Sequence, residues 1–367
     1  MRFHVVTVLL GVVMVLCGGA LAARADPRPA IASGIPENEI WRLSSLAAVS
    51  SQEAWAVGGA GDIGIVGHTA DGGVHWEPQA SGTSSFLTAV AAADSEAAWA
   101  VGVRGTILHT ADGGVHWEPQ VSGVSEDLMG VAAGSARVAW AVGRSGSLAT
   151  LLHTSDGGFT WTSQNPDGAT NLYAVSAVSD QVAWAVGIGY VLRTTDGGAT
   201  WSRQSAPYGS YLAVAAVSDR VAWIVGEACV VKTTDGGSTW SEHNVGFTDS
   251  LGSGISAVSD QVAWAVGGGG GIGIIAHTTD GGASWQTQPS AVDNNPLIAV
   301  AAAGADDAWA LAPQASSCIP ATVARAGPRR TSRARTCGRW TRPTSTSPGP
   351  SATTARSAIP LTAASTG

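Results

Sequence analysis

Short apolar stretches alternate with polar, glycine-rich turns along most of this chain. Residues 87–120, LTAVAAADSEAAWAVGVRGTILHTADGGVHWEPQ, display the pattern most clearly. Their apolar or β-branched segments are Leu87–Ala93, Ala97–Gly102, Thr106–Thr110 and Val115–Gln120. Segments this short, bounded by Gly, Asp and Ser, are typical of β-strands, whereas a helix needs a longer run of 3.6-residue periodicity. The pattern predicts a unit of four antiparallel strands.

The unit recurs about every 40 residues up to residue 311. Its second strand carries a Trp, and successive copies are separated by 44, 41, 44, 39, 41 and 45 residues. These second-strand Trp residues are Trp55, Trp99, Trp140, Trp184, Trp223, Trp264 and Trp309. A four-stranded unit of this period is typical of a β-propeller blade. We therefore predict an all-β propeller that occupies residues 26–311 as one closed domain.

A second signature, Thr-x-Asp-Gly-Gly-x-x-Trp, ends the first six units. Its Asp residues are Asp71, Asp112, Asp156, Asp196, Asp235 and Asp280, and its Trp residues are Trp76, Trp117, Trp161, Trp201, Trp240 and Trp285. An Asp carboxylate can accept hydrogen bonds from its own turn, and Gly takes the positive φ that a tight turn needs. Identical groups repeated around a ring do not converge on one active site. We predict that the Asp residues stabilise turns and that both sets of Trp residues pack between blades.

The combination of Ala-Trp-Ala-Val-Gly with Leu-His/Arg-Thr-x-Asp-Gly-Gly-x-Thr-Trp resembles the Asp-box, or bacterial neuraminidase, repeat. It resembles more closely the photosystem II stability and assembly factor family of cyanobacteria and chloroplasts. The resemblance spans about residues 41–311. It implies a seven-bladed propeller and a binding role, in which a protein of the assembling reaction centre docks on the ring.

The seventh unit, which would close the ring, is less regular than the first six. Trp41 stands alone before the first unit, and we interpret it as the missing seventh outer Trp. The N-terminal strand around Trp41 would then complete a blade begun at residues 297–311. After Leu311 the sequence becomes rich in Arg, Pro, Ser and Thr, with no further Asp-Gly-Gly. Residues 312–367 are either a frame-shifted reading of more propeller or a natural disordered tail, and both leave the seventh blade incomplete.

The distribution of charge and the N-terminal sequence limit the partners and the cellular locations that the protein can have. Residues 26–311 contain 27 acidic residues against 9 Lys or Arg, whereas residues 312–367 contain 8 Arg and no acid. An acidic body makes nucleic acid an unsuitable partner. A basic start, the apolar run 5–16 and Ala23-Arg24-Ala25 predict a signal peptide over residues 1–25, cleaved near Ala25, and export to the periplasm, cell surface or medium. The Cys pattern predicts no metal site, and we expect no cofactor.

Candidate partner-binding residues are the basic groups that interrupt the repeat. Arg104 and Arg144 lie in turns after the second strand and could contact an acidic partner. Arg193 and Lys232 belong to a recurrent position before the Asp-box Thr, which His68, His109, His153 and His277 occupy in other blades. We expect that position to be solvent-facing or capped, and we keep Arg104, Arg144, Arg193 and Lys232 as candidates.

The sequence favours a non-enzymatic, exported, monomeric scaffold that binds a protein partner, with a membrane-protein segment as one candidate. One alternative is a sialidase-like Asp-box glycoside hydrolase, which would use paired carboxylates. The adjacent acidic pairs, Glu126-Asp127 and Asp306-Asp307, lie in predicted turns, and the sialidase Arg-Ile-Pro motif is missing. Another alternative is a cell-surface propeller that binds glycans.

Overall fold

A computed structural model describes most of the predicted propeller. The described residues are 42–60, 63–145, 148–164, 168–207, 209–226, 229–245, 253–269, 272–289 and 296–312. The predicted signal peptide, Trp41 and the tail from residue 313 onward lie outside them.

The first half of the chain forms three four-stranded antiparallel sheets, each built in sequence order. Blade 1 contains β1 (Arg42–Ala48), β2 (Ala54–Ala60), β3 (Ile63–Thr69) and β4 (Glu77–Gln79). Blade 2 contains β5 (Leu87–Ala92), β6 (Ala98–Gly102), β7 (Ile107–Thr110) and β8 (Glu118–Gln120). Blade 3 contains β9 (Asp127–Ala133), β10 (Ala139–Ser145), β11 (Leu148–Thr154) and β12 (Thr162–Ser163).

The second half repeats the same order three times and then stops after two strands. Blade 4 contains β13 (Leu172–Ala177), β14 (Ala183–Gly187), β15 (Tyr190–Thr194) and β16 (Ser202–Arg203). Blade 5 contains β17 (Tyr211–Ala216), β18 (Ala222–Gly226), β19 (Val230–Thr233) and β20 (Ser241–His243). Blade 6 contains β21 (Gly254–Ala257), β22 (Ala263–Gly269), β23 (Ile272–Thr278) and β24 (Gln286–Pro289). The last sheet pairs β25 (Ala299–Ala302) with β26 (Ala308–Leu311).

The sheets are arranged as a ring. The first strand of each blade contacts the first strand of the next, from β1 through β5, β9, β13, β17 and β21 to β25. Strand β25 in turn contacts β1, so the cycle returns to its start. The edge of Trp309 meets Trp76 at this junction, with ring centroids 6.0 Å apart and planes at 83°. Aromatic packing therefore joins the last sheet to the first.

The predicted all-β propeller of four-stranded antiparallel blades is confirmed, but the described residues form six such blades and not seven. The two-stranded β25–β26 sheet follows the sixth blade in the ring. The prediction for Trp41 falls outside the described residues. Strand β1 begins at the next residue, Arg42, and pairs with β2 of its own blade.

The core lies between blades. Every second strand is buried over its Ala-Trp segment, and the seven second-strand Trp residues belong to separate hydrophobic clusters. Trp99 of blade 2, for example, packs with Leu128 and Leu152 of blade 3. Blades that share apolar clusters with both neighbours cannot bury their surfaces alone, which explains why the repeat folds as a ring.

Turns within each blade lie on two faces. The turns between first and second strands and the Asp-Gly-Gly turns lie on one face, because backbone bonds such as Gly113 N to Glu96 O (2.9 Å) join them. We call this the Asp-Gly-Gly face. The turns between second and third strands lie on the opposite face. In blade 1 the pairing of the second and third strands continues toward this face as far as Ala60 and Ile63.

The described residues contain no helix of the length and apolarity that a bilayer crossing requires.

Candidate functional site

The Asp-Gly-Gly turn of blade 3 is closed by the side chains of Thr154, Asp156 and Thr160. Asp156 Oδ1 accepts from Thr154 Oγ1 at 2.9 Å and from the Thr160 backbone N–H at 3.0 Å. Asp156 Oδ2 accepts from Thr160 Oγ1 at 2.6 Å. Thr154 Oγ1 accepts the Gly158 backbone N–H at 2.9 Å. The carboxylate thus ties the end of the third strand to the part of the turn that leads into the outer strand.

The other five turns repeat this arrangement. In all six turns the side chain four residues after the Asp donates to its Oδ2, and the donors are His75, His116, Thr160, Thr200, Thr239 and Ser284. Hydrogen bonds from these hydroxyl groups, followed by those from the backbone, lower the pKa of Asp156, Asp196, Asp235 and Asp280 to about 2. Burial by itself would raise the pKa of Asp71 and Asp112, but hydrogen bonds from His75, His116 and the turn outweigh it and lower the pKa. Ionised carboxylates that are already engaged in this way are poor general acids.

A glutamine at the end of the outer strand connects each of the first three blades to its successor. Gln120 Oε1 accepts from Trp161 Nε1 at 2.9 Å, and Gln120 Nε2 donates to Gly157 O at 2.9 Å. Gln79 makes the same pair of bonds to the next blade, and Gln164 accepts the Trp201 indole N–H at 2.8 Å. The role of these glutamines between blades was not predicted from the sequence. The available signal was Gln at the third position after the outer Trp in blades 1 to 4.

The Trp that follows each Asp-Gly-Gly motif, here called the outer Trp, contacts the second-strand Trp, here called the inner Trp, of the preceding blade. Trp240 meets Trp184 edge to face at 6.2 Å, and Trp285 meets Trp223 at 6.0 Å. These contacts are consistent with packing between blades.

Residues at the recurrent basic position lie across from the inner Trp of the same blade. His109 stacks on Trp99 with ring centroids 4.4 Å apart, and His277 stacks on Trp264 at 3.7 Å. Burial lowers the pKa of His109 and of His277. The position is therefore partly enclosed between strands and does not face solvent freely.

Lys232 occupies the same recurrent position and is enclosed between two blades. Lys232 is only 7% exposed, and its Nζ lies 4.4 Å from the Trp223 ring centroid. Its ammonium donates to Asp260 O at 2.5 Å and Gly281 O at 3.1 Å, both in blade 6. Burial lowers the pKa of Lys232. The side chain joins two blades, and little of it is exposed to solvent.

Arg193 has a similar position with more exposure. Its Nη1 donates to Gly236 O at 3.4 Å, and its Nη2 lies 3.7 Å from Asp219 Oδ2. Both groups belong to blade 5, so the main described contacts of Arg193 are within the ring.

Arg104 and Arg144 remain exposed on the face opposite the Asp-Gly-Gly turns. Arg104 adopts φ 57° in a short 3-10 turn, and its backbone N–H donates to Asp127 Oδ1 at 3.1 Å. Arg144 pairs with Asp127 across β9 and β10. One acidic residue thus lies beside the backbone of both arginines.

Two further arginines share that face. Arg42 is exposed at the start of β1, and Arg203 is exposed on β16, where its Nη2 donates to Gly189 O at 2.7 Å. We define Arg42, Arg104, Arg144 and Arg203 as the arginine face. Sequence reasoning missed Arg42 and Arg203 because they lie at ordinary strand ends, and only the ring brings those ends to one side.

No group of three or more His, Cys, Asp or Glu suited to a metal ion occurs within the part of the chain that the structure describes.

Comparisons with known proteins agree with this architecture. The sequence profile of the family described as "Photosynthesis system II assembly factor YCF48" matches residues 70–165 and 207–308, together more than half of the chain. The structure of YCF48 from Cyanidioschyzon merolae superposes with a TM-score of 0.58 at 19% identity, covering 76% of this chain and 94% of that one. No curated protein was found to match.

Two further solved structures are similar in fold. A structure of YCF48 bound to D1 peptide has a TM-score of 0.50 at 20% identity, covering 62% of this chain and 75% of that one. The GH74 xyloglucanase from Xanthomonas campestris has a TM-score of 0.59 at 13% identity, covering 75% of this chain and 51% of that one. At these identities the likeness shows the propeller fold alone, whereas the sequence profile identifies the family. The chain therefore belongs to the family of the photosynthesis system II assembly factor YCF48.

Proposed function

We propose that this protein is an exported, non-enzymatic scaffold that binds an acidic segment of a protein partner on its arginine face. The observation that carries the proposal is the set of exposed arginines on one side of the ring. In the first four blades, the described residues of that face carry four arginines and two acids, Glu126 and Asp127. Guanidinium groups bind carboxylates with directed, charge-assisted hydrogen bonds.

Family membership supports a polypeptide as the ligand. A YCF48 relative has been solved with a D1 peptide, and by analogy the partner of this chain is a protein segment, with a segment of a membrane protein as one candidate. A monomer is sufficient for this role, because a single ring presents the whole arginine face.

The proposal also includes the number of blades and the export of the protein. We infer a seven-bladed ring in which β25 and β26 form the inner half of the seventh blade, completed by the N-terminal segment that contains Trp41. The contact of β25 with both β21 and β1 supports this count. Export rests on the predicted signal peptide over residues 1–25.

Binding of a fluorescent D1 peptide, measured by anisotropy, tests the proposal. The double variant Arg104→Ala/Arg144→Ala should weaken binding about tenfold or more, since each charge-assisted hydrogen bond contributes roughly 1.5–3 kcal/mol. Arg137→Ala is the matched control, because Arg137 is exposed on the Asp-Gly-Gly face. If the double variant and the control bind the D1 peptide with equal affinity, the arginine face is not the binding site of the peptide.

A glycoside hydrolase is the second candidate, and the propeller of the GH74 xyloglucanase is the observation that favours it. Xyloglucan and a sialoside should both remain intact after incubation with the purified protein. Turnover of either substrate would overturn the non-enzymatic assignment.

A further inference from the structure

Three consecutive blades expose a large apolar side chain at the tip of the Asp-Gly-Gly turn. Val74, Val115 and Phe159 directly follow the second Gly of the motif and are 53%, 51% and 91% exposed. The equivalent residues of blades 4 to 6 are Ala199, Ser238 and Ala283. We call Val74, Val115 and Phe159 the apolar arc.

Formation of the turn does not require a large side chain at this position. Asp196, Asp235 and Asp280 make the same hydrogen bonds in blades 4 to 6, where Ala or Ser follows the second Gly. A single exposed apolar residue would be unremarkable, but here the same turn position carries an exposed apolar side chain in three successive blades of the ring. The apolar arc therefore needs an explanation outside the stability of the fold.

The charges around the apolar arc are almost all negative. On the Asp-Gly-Gly face of blades 1 to 3, the described residues provide eight carboxylates and one arginine, Arg137. The carboxylates belong to Glu53, Asp71, Glu77, Asp94, Glu96, Asp112, Glu118 and Asp156. His75 and His116, at 2.6 Å from Asp71 and Asp112, are the neighbouring titratable groups on the turns.

We propose that the apolar arc is a second docking surface, which binds a cationic amphipathic segment of a protein partner. Apolar side chains of that segment would cover the three tips, and its Lys or Arg residues would lie against the surrounding carboxylates. A membrane surface fits less well, because anionic headgroups are repelled by an acidic face. Since the arginine face is on the opposite side of the ring, both surfaces can be occupied together.

A synthetic 18-residue amphipathic peptide of Leu and Lys is the probe, and its Leu and Glu counterpart is the charge control. Isothermal titration calorimetry compares the wild-type protein with Val74→Ser/Val115→Ser/Phe159→Ser. The triple variant keeps every charge, so a loss of at least about tenfold in affinity isolates the apolar contribution. Ala199→Ser/Ala283→Ser is the matched control at the same turn position and should bind like the wild type. Phe159→Ser alone should give an intermediate affinity.

Equal affinity of the triple variant and the wild type for the Leu–Lys peptide would overturn the proposal, because charge alone would then explain binding. Equal binding of the Leu–Glu peptide would also overturn it. Vesicles with anionic lipid that bind the wild type, when the Leu–Lys peptide does not, would identify a membrane surface instead. Binding of the D1 peptide should be unchanged in the triple variant, so failure here is separable from failure of the arginine-face proposal.

Discussion

The indole N–H of Trp117 donates to Oε1 of Gln79 at 2.9 Å, and this bond crosses from the outer strand of blade 1 to the turn of blade 2. Gln79 Nε2 also donates to Gly113 O at 3.0 Å. Gln79 and Gln120 each satisfy two polar groups of the next blade, while the Trp packs against apolar neighbours. The blades are therefore held in register by directed hydrogen bonds as well as by apolar burial.

Replacement of Gln120 by Ala should lower the free energy of unfolding by about 1–3 kcal/mol, because the Trp161 indole N–H and Gly157 O lose their partner. Urea unfolding followed by Trp fluorescence measures the change. Gln204→Ala is a suitable control, since the Gln204 amide donates to Ser202 of its own blade. A comparable loss in both variants would contradict the role of the inter-blade bonds.

Replacement of Gly158 by Ala should be more destabilising than replacement of Gly157 by Ala. Both glycines have positive φ, +86° and +80°, so both variants strain the backbone. A Cβ at Gly158 would also clash with the Gln120 side chain, whereas a Cβ at Gly157 would meet nothing within 4 Å. We expect the difference in unfolding free energy to be about 1–3 kcal/mol. Chemical denaturation of the two variants measures it, and equal losses would mean that the interface yields to the added methyl group.

Replacement of Trp309 by Ala should lower the free energy of unfolding by about 3–5 kcal/mol, as is typical for a buried aromatic side chain. Trp309 packs on Trp76, and its Nε1 donates to Ser50 O at 3.0 Å in blade 1. Differential scanning calorimetry checks the change, with the exposed Phe159→Ala as a control that should remain near wild type. An unaltered transition would show that the β25–β26 sheet adds little to closure of the ring.

Acid should destabilise the propeller between about pH 4 and pH 2. Four turn aspartates have a pKa lowered to about 2 in the folded protein, whereas an unfolded Asp titrates near 3.9. Because the folded pKa is the lower one, their contribution is present above about pH 4 and is lost as pH falls through 2. Thermal midpoints recorded by circular dichroism at pH 7, 4, 3 and 2 test the window. Asp196→Asn should reduce the steepness of the fall, and an unchanged pH profile would argue against the assignment.

Features that are local in sequence were predictable from the sequence. The Asp-Gly-Gly turn is closed by groups within a few residues of each other, so the repeated motif was enough to indicate it. The second strands were recognisable from their Trp and apolar neighbours because all of them are buried between blades. The outer strand was predicted too long, since residues 115–117 belong to the turn, where the His116 N–H donates to Asp112 Oδ1.

Relationships between blades were decided only by the tertiary structure. Gln79 and Trp117 are 38 residues apart, and Lys232 and Gly281 are 49 residues apart, so no local pattern pairs them. The same holds for the arginine face and the apolar arc, whose members are one blade apart or more. The repeat of about 40 residues was enough by itself to predict a four-stranded blade and its repetition, because each strand and turn forms from neighbouring residues. The ring determined which side chains bridge blades and which share a face, because those distances depend on how whole blades pack.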